Sequence, residues 1–329
     1  MHRFVFGIWR RSLCFTVACI GVCVQAFEPP QLVKPLRAIS KPVVVAVVDS
    51  GSPGGNPDLK SLMLPGLNLA SSASARNGAC PESVNGFDPG AHGDQVARLI
   101  AAHSAPYESG SVVHANILPI YVYGKCKVSR ADMMVAMRWA AGLPVAGFAV
   151  NPNPARVINL SLAGGGIRCG ADLQQVVNEL LSRNIYIVAA AGNSSHQRLR
   201  EPANCDGVLA VGASDEEGRI ADYSAVDERI AVYAYGGDVP LAAVGESPAL
   251  STQRFQVASL AQDAQPGPVL TSGTSYSAPV LSGYLAIWLS RNPDKWLDDF
   301  KEELKRVTYL IGPPPDCPRC TPRTMDIRF

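Results

Sequence analysis

The sequence predicts an α/β fold built on a buried, mostly parallel sheet in a single domain, and three observations predict it. Runs of buried-strand type alternate along the chain with stretches of helical apolar spacing, the pattern of strands joined by crossover helices. The first run, Val43-Val44-Val45-Ala46-Val47-Val48, is nearly all β-branched and ends at Asp49, so a carboxylate lies at the carboxyl end of a central strand. Active groups of open α/β sheets collect at that edge. No repeat or low-complexity linker divides the residues that follow, and a chain of this size suits one large domain.

At the N-terminus, residues 1–26 carry Arg3, Arg10 and Arg11, then the apolar run Leu13 to Val24, then Val24-Gln25-Ala26. This is the charge, apolar stretch and small residue of a secretory signal cut after Ala26. The run is shorter than the roughly 20 residues a spanning helix needs, so no membrane association is expected after cleavage. Localisation is therefore read as secreted or periplasmic. Cleavage takes the charge balance from 29 basic against 28 acidic residues to 26 against 28, which excludes a polyanion partner such as nucleic acid. Residues 27–40 form a short linker of 14 residues, too short for a full propeptide.

Six of the nine cysteines remain beyond the signal: Cys80, Cys126, Cys169, Cys205, Cys317 and Cys320. An even count behind an export signal argues for disulfides, although six cysteines allow 15 connectivities. Cys317-Pro318-Arg319-Cys320 has redox-pair spacing but lies in a proline-rich tail, residues 313–329, rather than beside a βαβ unit.

Taken in order, the elements follow from local pattern. Gly51 to Gly90 is rich in Gly, Pro, Ser and Asn and reads as surface loop. Ala91-His92-Gly93-Asp94-Gln95-Val96-Ala97-Arg98-Leu99-Ile100-Ala101-Ala102 reads as an amphipathic helix with a histidine at its start. Ile117 to Tyr123 is the next strand and Ala131 to Gly142 the next helix. Arg156 to Leu162 is a strand running into Ala163-Gly164-Gly165-Gly166, which by itself is a loose turn or a phosphate loop. A dinucleotide site would place its glycines after the first strand, and these come late. Leu173 to Ser182 is a helix, Ile185 to Ala191 a strand ending near Asn193, and Val208 to Ala213 one more strand. Residues 216–271 show no assignable pattern and read as surface strands and cleft walls.

The stretch Ser272-Gly273-Thr274-Ser275-Tyr276-Ser277-Ala278-Pro279 carries the chemistry. The apolar-rich run Ala278 to Leu289 behind it reads as a buried helix, which puts Ser275 at a helix N-terminus, facing free amides and the positive end of the dipole. That environment favours an alkoxide or an oxyanion; the plainer role is a helix cap. Asp49-Ser50-Gly51, His92-Gly93 and Gly273-Thr274-Ser275 with Ala278-Pro279 occur in that order. Between them stand Asn159-Leu160-Ser161-Leu162 and Ala189-Ala190-Ala191-Gly192-Asn193. With these five fragments the chain resembles the subtilisin family of serine peptidases from about Lys41 to Gly312, and the Asp, His, Ser order is the one that family uses.

The resemblance implies a doubly wound, mostly parallel central sheet with helices on both faces, spanning a peptidase domain at 41–312. It implies a serine endopeptidase in which Asp49 orients His92, His92 activates Ser275, and Asn193 donates to the oxyanion; a Gly-Asn turn is the ordinary alternative at Asn193. Ser161, Leu162, Ala163 and Gly164, with Thr274, match the family's substrate-binding positions, where an extended peptide pairs through its main chain. Protein or peptide substrates, no cofactor for catalysis and a monomer are expected. The resemblance further suggests pairing of Cys80 with Cys126, Cys169 with Cys205 and Cys317 with Cys320. Calcium is a structural option at Asp58, Asn68, Asp88 and Asn56, although unspaced Asp and Asn are ordinary turn residues.

The sequence departs from the family at three positions. Asp94 and Arg98 stand where the family usually has threonine and glycine, and Tyr276 replaces the methionine after the nucleophile, which removes an oxidation-sensitive thioether. A second carboxylate near His92 is expected to favour the imidazolium and raise the acid limb of activity. The competing reading is a secreted binding protein of the same fold without activity, but all four catalytic positions are filled. An α/β-hydrolase would need a Gly-x-Ser-x-Gly elbow, which does not occur, and a sedolisin-type acid peptidase would use Glu where His92 stands.

Overall fold

Val43 to Val48 does form the first strand, β1 (Val43–Asp49), and its alternation decides the layering of the whole molecule. The computed structural model describes residues 42–50, 59–69, 89–104, 115–122, 128–195, 197–237, 272–315 and 317–325. All belong to one compact unit, Ile39–Phe329. Besides β1 the strands are β2 (Leu67–Asn68), β3 (Ala115–Tyr121), β4 (Val157–Leu160), β5 (Tyr186–Ala190), β6 (Leu209–Ser214), β7 (Ile230–Tyr235), β8 (Tyr309–Leu310) and β9 (Arg323–Thr324). The helices are α1 (Pro89–His103), α2 (Arg130–Ala140), α3 (Ala171–Leu181), α4 (Thr274–Arg291) and α5 (Leu297–Val307).

The nine strands form one sheet in the order β2-β3-β1-β4-β5-β6-β7-β9-β8. Every pairing is parallel except β8 with β9. Side chains of a strand alternate between faces. Ala46 and Val48 of β1 therefore enter the layer closed by α2 and α3, through Met133, Met137, Leu173 and Leu180. Val45 and Val47 enter the opposite layer, closed by α1, α4 and α5 through Val96, Ile100, Leu281, Leu285 and Phe300. Helices thus cover both faces, as the resemblance implied.

Strand order reverses at β1, which pairs with β3 on one side and β4 on the other. In doubly wound sheets the crevice at such a switch, beyond the carboxyl ends of the strands, is where ligands bind. Asp49 ends β1 there.

Three features differ from the sequence reading. The unpatterned stretch contains β7, an internal strand between β6 and β9 rather than a surface one. The C-terminal residues read as a tail supply β9, which pairs in parallel with β7 through Thr324 and Tyr233. Helix α5 joins the core through Phe300 and Leu304, two positions one turn apart on its inner face. Two of the three suggested disulfides are present, Cys169–Cys205 and Cys317–Cys320. Cys80 and Cys126 lie outside the described residues. Among the described residues no helix is long and apolar enough to cross a membrane.

Candidate active site

Helix α1 approaches β1 because Gly93 has no side chain. A Cβ there would lie 1.9 Å from the Ser50 carbonyl oxygen, so any other residue would push the helix start off the strand end. The approach brings His92 Nδ1 to 2.7 Å from Asp49 Oδ1. Both groups are buried, Asp49 completely and His92 to 5% exposure. Asp49 Oδ1 also accepts from the Ser50 amide at 2.6 Å, which fixes the carboxylate, while Oδ2 is buried with no partner among the described residues. A carboxylate so poorly solvated gains most from an adjacent cation.

The charge state of His92 follows from that competition. Burial alone pulls its pKa down, but the charge of Asp49 and its hydrogen bond outweigh burial and leave the pKa raised. Asp94, the second carboxylate of this region, lies two residues after His92 in α1. Its own carboxyl is pushed up by burial, opposed by Arg98 and reinforced by Asp49. Asp49 therefore supplies the charge that favours the imidazolium.

Ser275 is the second residue of α4, a helix entered from Gly273 with no side-chain cap. Amides of the first turn have no intrahelical acceptor, so the Ser275 N–H remains available to a ligand. Pro279, four residues on, lacks the N–H that would bond to the Ser275 carbonyl. The Ser161 hydroxyl fills that gap, donating to the Ser275 oxygen at 2.7 Å. In return the Ser275 hydroxyl donates to the Ser161 carbonyl at 3.0 Å. The Ser275 turn is thereby docked on the end of β4.

Asn193 follows β5, and its side-chain oxygen accepts from the Thr274 amide and the Thr274 hydroxyl, both at 2.8 Å. Thr274 Oγ1 in turn accepts from the Gly192 amide at 3.0 Å. With the oxygen committed, the amide nitrogen Nδ2 is left as a pair of donors beside the helix start. Gly273 is required here, since a Cβ would meet Asn193 Nδ2 at 2.8 Å.

Asp49, His92, Asn193, Thr274 and Ser275 thus converge on the carboxyl edge of β1, β4 and β5. Leu162, Ala163 and Gly164 line a neighbouring cavity of about 440 Å³ together with Met133, Arg130 and Glu201. An ionic cluster closes one side of it: Arg130 pairs with Asp172 and approaches Glu201 at 3.4 Å. Glu201 is buried and accepts from the Gly166 and Gly170 amides at 3.1 and 2.7 Å, which staples the glycine loop.

Two contributors went unassigned in the sequence. Asn159, fully buried, donates to the Ser161 hydroxyl at 2.9 Å and accepts from the Ser282 hydroxyl at 2.9 Å. The signal was present, because Asn159 and Ser161 share a strand face and Ser282 lies two turns after Ser275 on one helix face. Glu201 gave no local signal. Among the proposed calcium positions Asn68 falls in β2, while Asp58, Asp88 and Asn56 lie outside the described residues.

Comparison with known proteins gives the family and the fold. The model of the subtilase family, Peptidase_S8, matches residues 40–311. The chain is similar to an extracellular basic protease of Dichelobacter nodosus, 34% identical over 278 residues, covering 75% of this chain and 43% of that protein. It is also 34% identical over 224 residues to an extracellular protease of Xanthomonas campestris pv. campestris, covering 62% of this chain and 38% of the relative. The chain therefore spans about two fifths of the length of these two relatives. Among solved structures, a protease from Pseudoalteromonas arctica superposes with a TM-score of 0.68 at 28% identity, covering 87% of this chain and 88% of that one.

Proposed function

The chain belongs to the subtilase family, and from that premise we propose that it is an exported serine endopeptidase that cleaves peptide bonds through an acyl-enzyme. The observation that carries the reading is the buried 2.7 Å contact of Asp49 with His92 beside a helix start that leaves the Ser275 amide without an intrahelical acceptor.

An extended peptide lies along Ser161 to Gly164, with its scissile carbonyl over the start of α4. The Ser275 hydroxyl leaves the Ser161 carbonyl, gives its proton to His92 Nε2 and bonds to the carbonyl carbon. Asp49 holds Nδ1–H and stabilises the imidazolium that forms. The charge on the former carbonyl oxygen is met by the Ser275 amide and by Asn193 Nδ2, donors fixed in advance by Thr274. His92 then protonates the departing amine, and water repeats the sequence in reverse to release the acid. Besides the attacking water, the steps draw on side chains and backbone amides of the chain. Export is supported by the N-terminal signal pattern and by the extracellular relatives.

A fluorophosphonate probe tests the reading. The expected result is stoichiometric labelling of Ser275 in the full chain, abolished in Ser275→Ala, together with hydrolysis of a peptide library. A chain that binds peptides but neither labels nor cleaves would establish the binding-protein alternative.

A further inference from the structure

We propose that Tyr276 is a positioning residue that clamps the helix carrying the nucleophile to the helix carrying the base, through its hydrogen bond to Gln95. The inference rests on the triad reading and adds a pair of residues outside it. Tyr276 follows Ser275 in the first turn of α4 and is only 4% exposed. Its hydroxyl donates to Gln95 Oε1 at 2.8 Å. Gln95 lies three residues after His92 on α1, so the two share a helix face. On the way to Gln95 the Tyr276 ring passes the imidazole, with centroids 5.6 Å apart and planes tilted by 55°.

One rigid side chain, with only two rotatable bonds, thus touches the base with its ring and is fastened one turn further along the same helix by its hydroxyl. The imidazole is tethered at Nδ1 by Asp49. A tether at one nitrogen leaves ring tilt as the remaining freedom, and a wall against the ring restricts it. Fixing the spacing of α1 and α4 within one side chain of both reacting groups keeps Nε2 and the Ser275 hydroxyl in register. Reaction rates fall steeply with errors of about 1 Å in such spacing. An apolar residue at 276 would fill the space but remove the bond to Gln95 that ties the two helices together.

The test uses Tyr276→Phe, which keeps the ring, and Gln95→Met, which keeps the length, in the full chain on a peptide substrate. Each is expected to lower kcat about ten-fold with KM within about two-fold, because neither group touches the peptide. The double variant is expected to be no slower than either single one, since both remove the same bond. Gln95→Glu keeps an acceptor oxygen and should recover most of the kcat lost in Gln95→Met. An unchanged kcat in Tyr276→Phe, multiplying losses in the double variant, or a change confined to Tm would overturn the clamp. Ser275→Ala, measured alongside, separates the two levels: activity surviving there sinks the triad reading itself, whereas an inactive Ser275→Ala beside a fully active Tyr276→Phe sinks only the clamp.

Discussion

Helices α2 and α4 both begin near the carboxyl edge of the sheet with a serine at their start, and they use it in opposite ways. Ser129 caps α2: its hydroxyl accepts from the Asp132 amide at 3.0 Å and donates to the Asp132 carboxylate at 2.6 Å. The helix start is closed on itself. At α4 the capping position is Gly273, the Thr274 amide is taken by Asn193, and the Ser275 hydroxyl turns away to the Ser161 carbonyl. The helix start stays open. A structural helix satisfies its own first-turn donors, whereas this one leaves an amide open beside a serine hydroxyl, the arrangement that the proposed nucleophile requires.

The same substitution at the two serines should therefore break different properties. Ser275→Ala is expected to lower kcat by a factor on the order of 10⁶, the loss known for the equivalent knock-out in subtilisin, with Tm nearly unchanged. Steady-state kinetics against a thermal melt would show it, and a loss below ten-fold would mean that the open helix start holds no nucleophile. Asn193→Ala probes the oxyanion donor at the same start and should cost about 10²–10³ in kcat with little change in KM. An equal effect on KM would assign the residue to ground-state binding instead.

A second contrast lies within α1, which carries His92 in its first turn and His103 at its end. His92 has a carboxylate partner and its pKa is raised, while burial pushes His103 down to about 4. Folded His103 binds fewer protons than the unfolded chain, so its contribution to stability falls as pH drops from 6.5 and levels off below about 4. The loss across that window is about 3 kcal/mol. His103→Gln should flatten the stability profile there by that amount in denaturant titrations at several pH values, and an unchanged slope would remove His103 as the cause. Smallest of all, Ser129→Ala should cost about 1 kcal/mol of stability and leave kcat within about two-fold. A large loss of activity there would erase the contrast between the two helix starts.

Much of the candidate site was legible in the sequence. Asp49 was marked by the strand that it ends, His92 by the His-Gly helix start, and Ser275 by glycine and threonine ahead of an apolar helix. Local pattern carried these because each depends on how its own element begins or ends. Glu201 was silent, since its partners, the Gly166 and Gly170 amides, are brought to it by a return of the chain. The role of Tyr276 was silent for the same reason: the residue across from it, Gln95, is 181 positions away. Strand β7 was missed because its six residues are flanked by unpatterned sequence, and its internal place follows from β6 and β9 on either side.

The sequence by itself determined the alternation of strands and helices, the glycines that permit close approach at 93 and 273, and the chemistry of each reacting group. These follow from side-chain size, backbone freedom and periodicity, which act over a few residues. The tertiary structure decided which partner each polar group meets: Asp49 at 2.7 Å from His92, Ser161 in place of the hydrogen bond that Pro279 withholds, and Glu201 as the staple of the glycine loop. A pKa and a hydrogen bond depend on burial and distance, and both are set only when segments far apart in the chain are packed against one sheet.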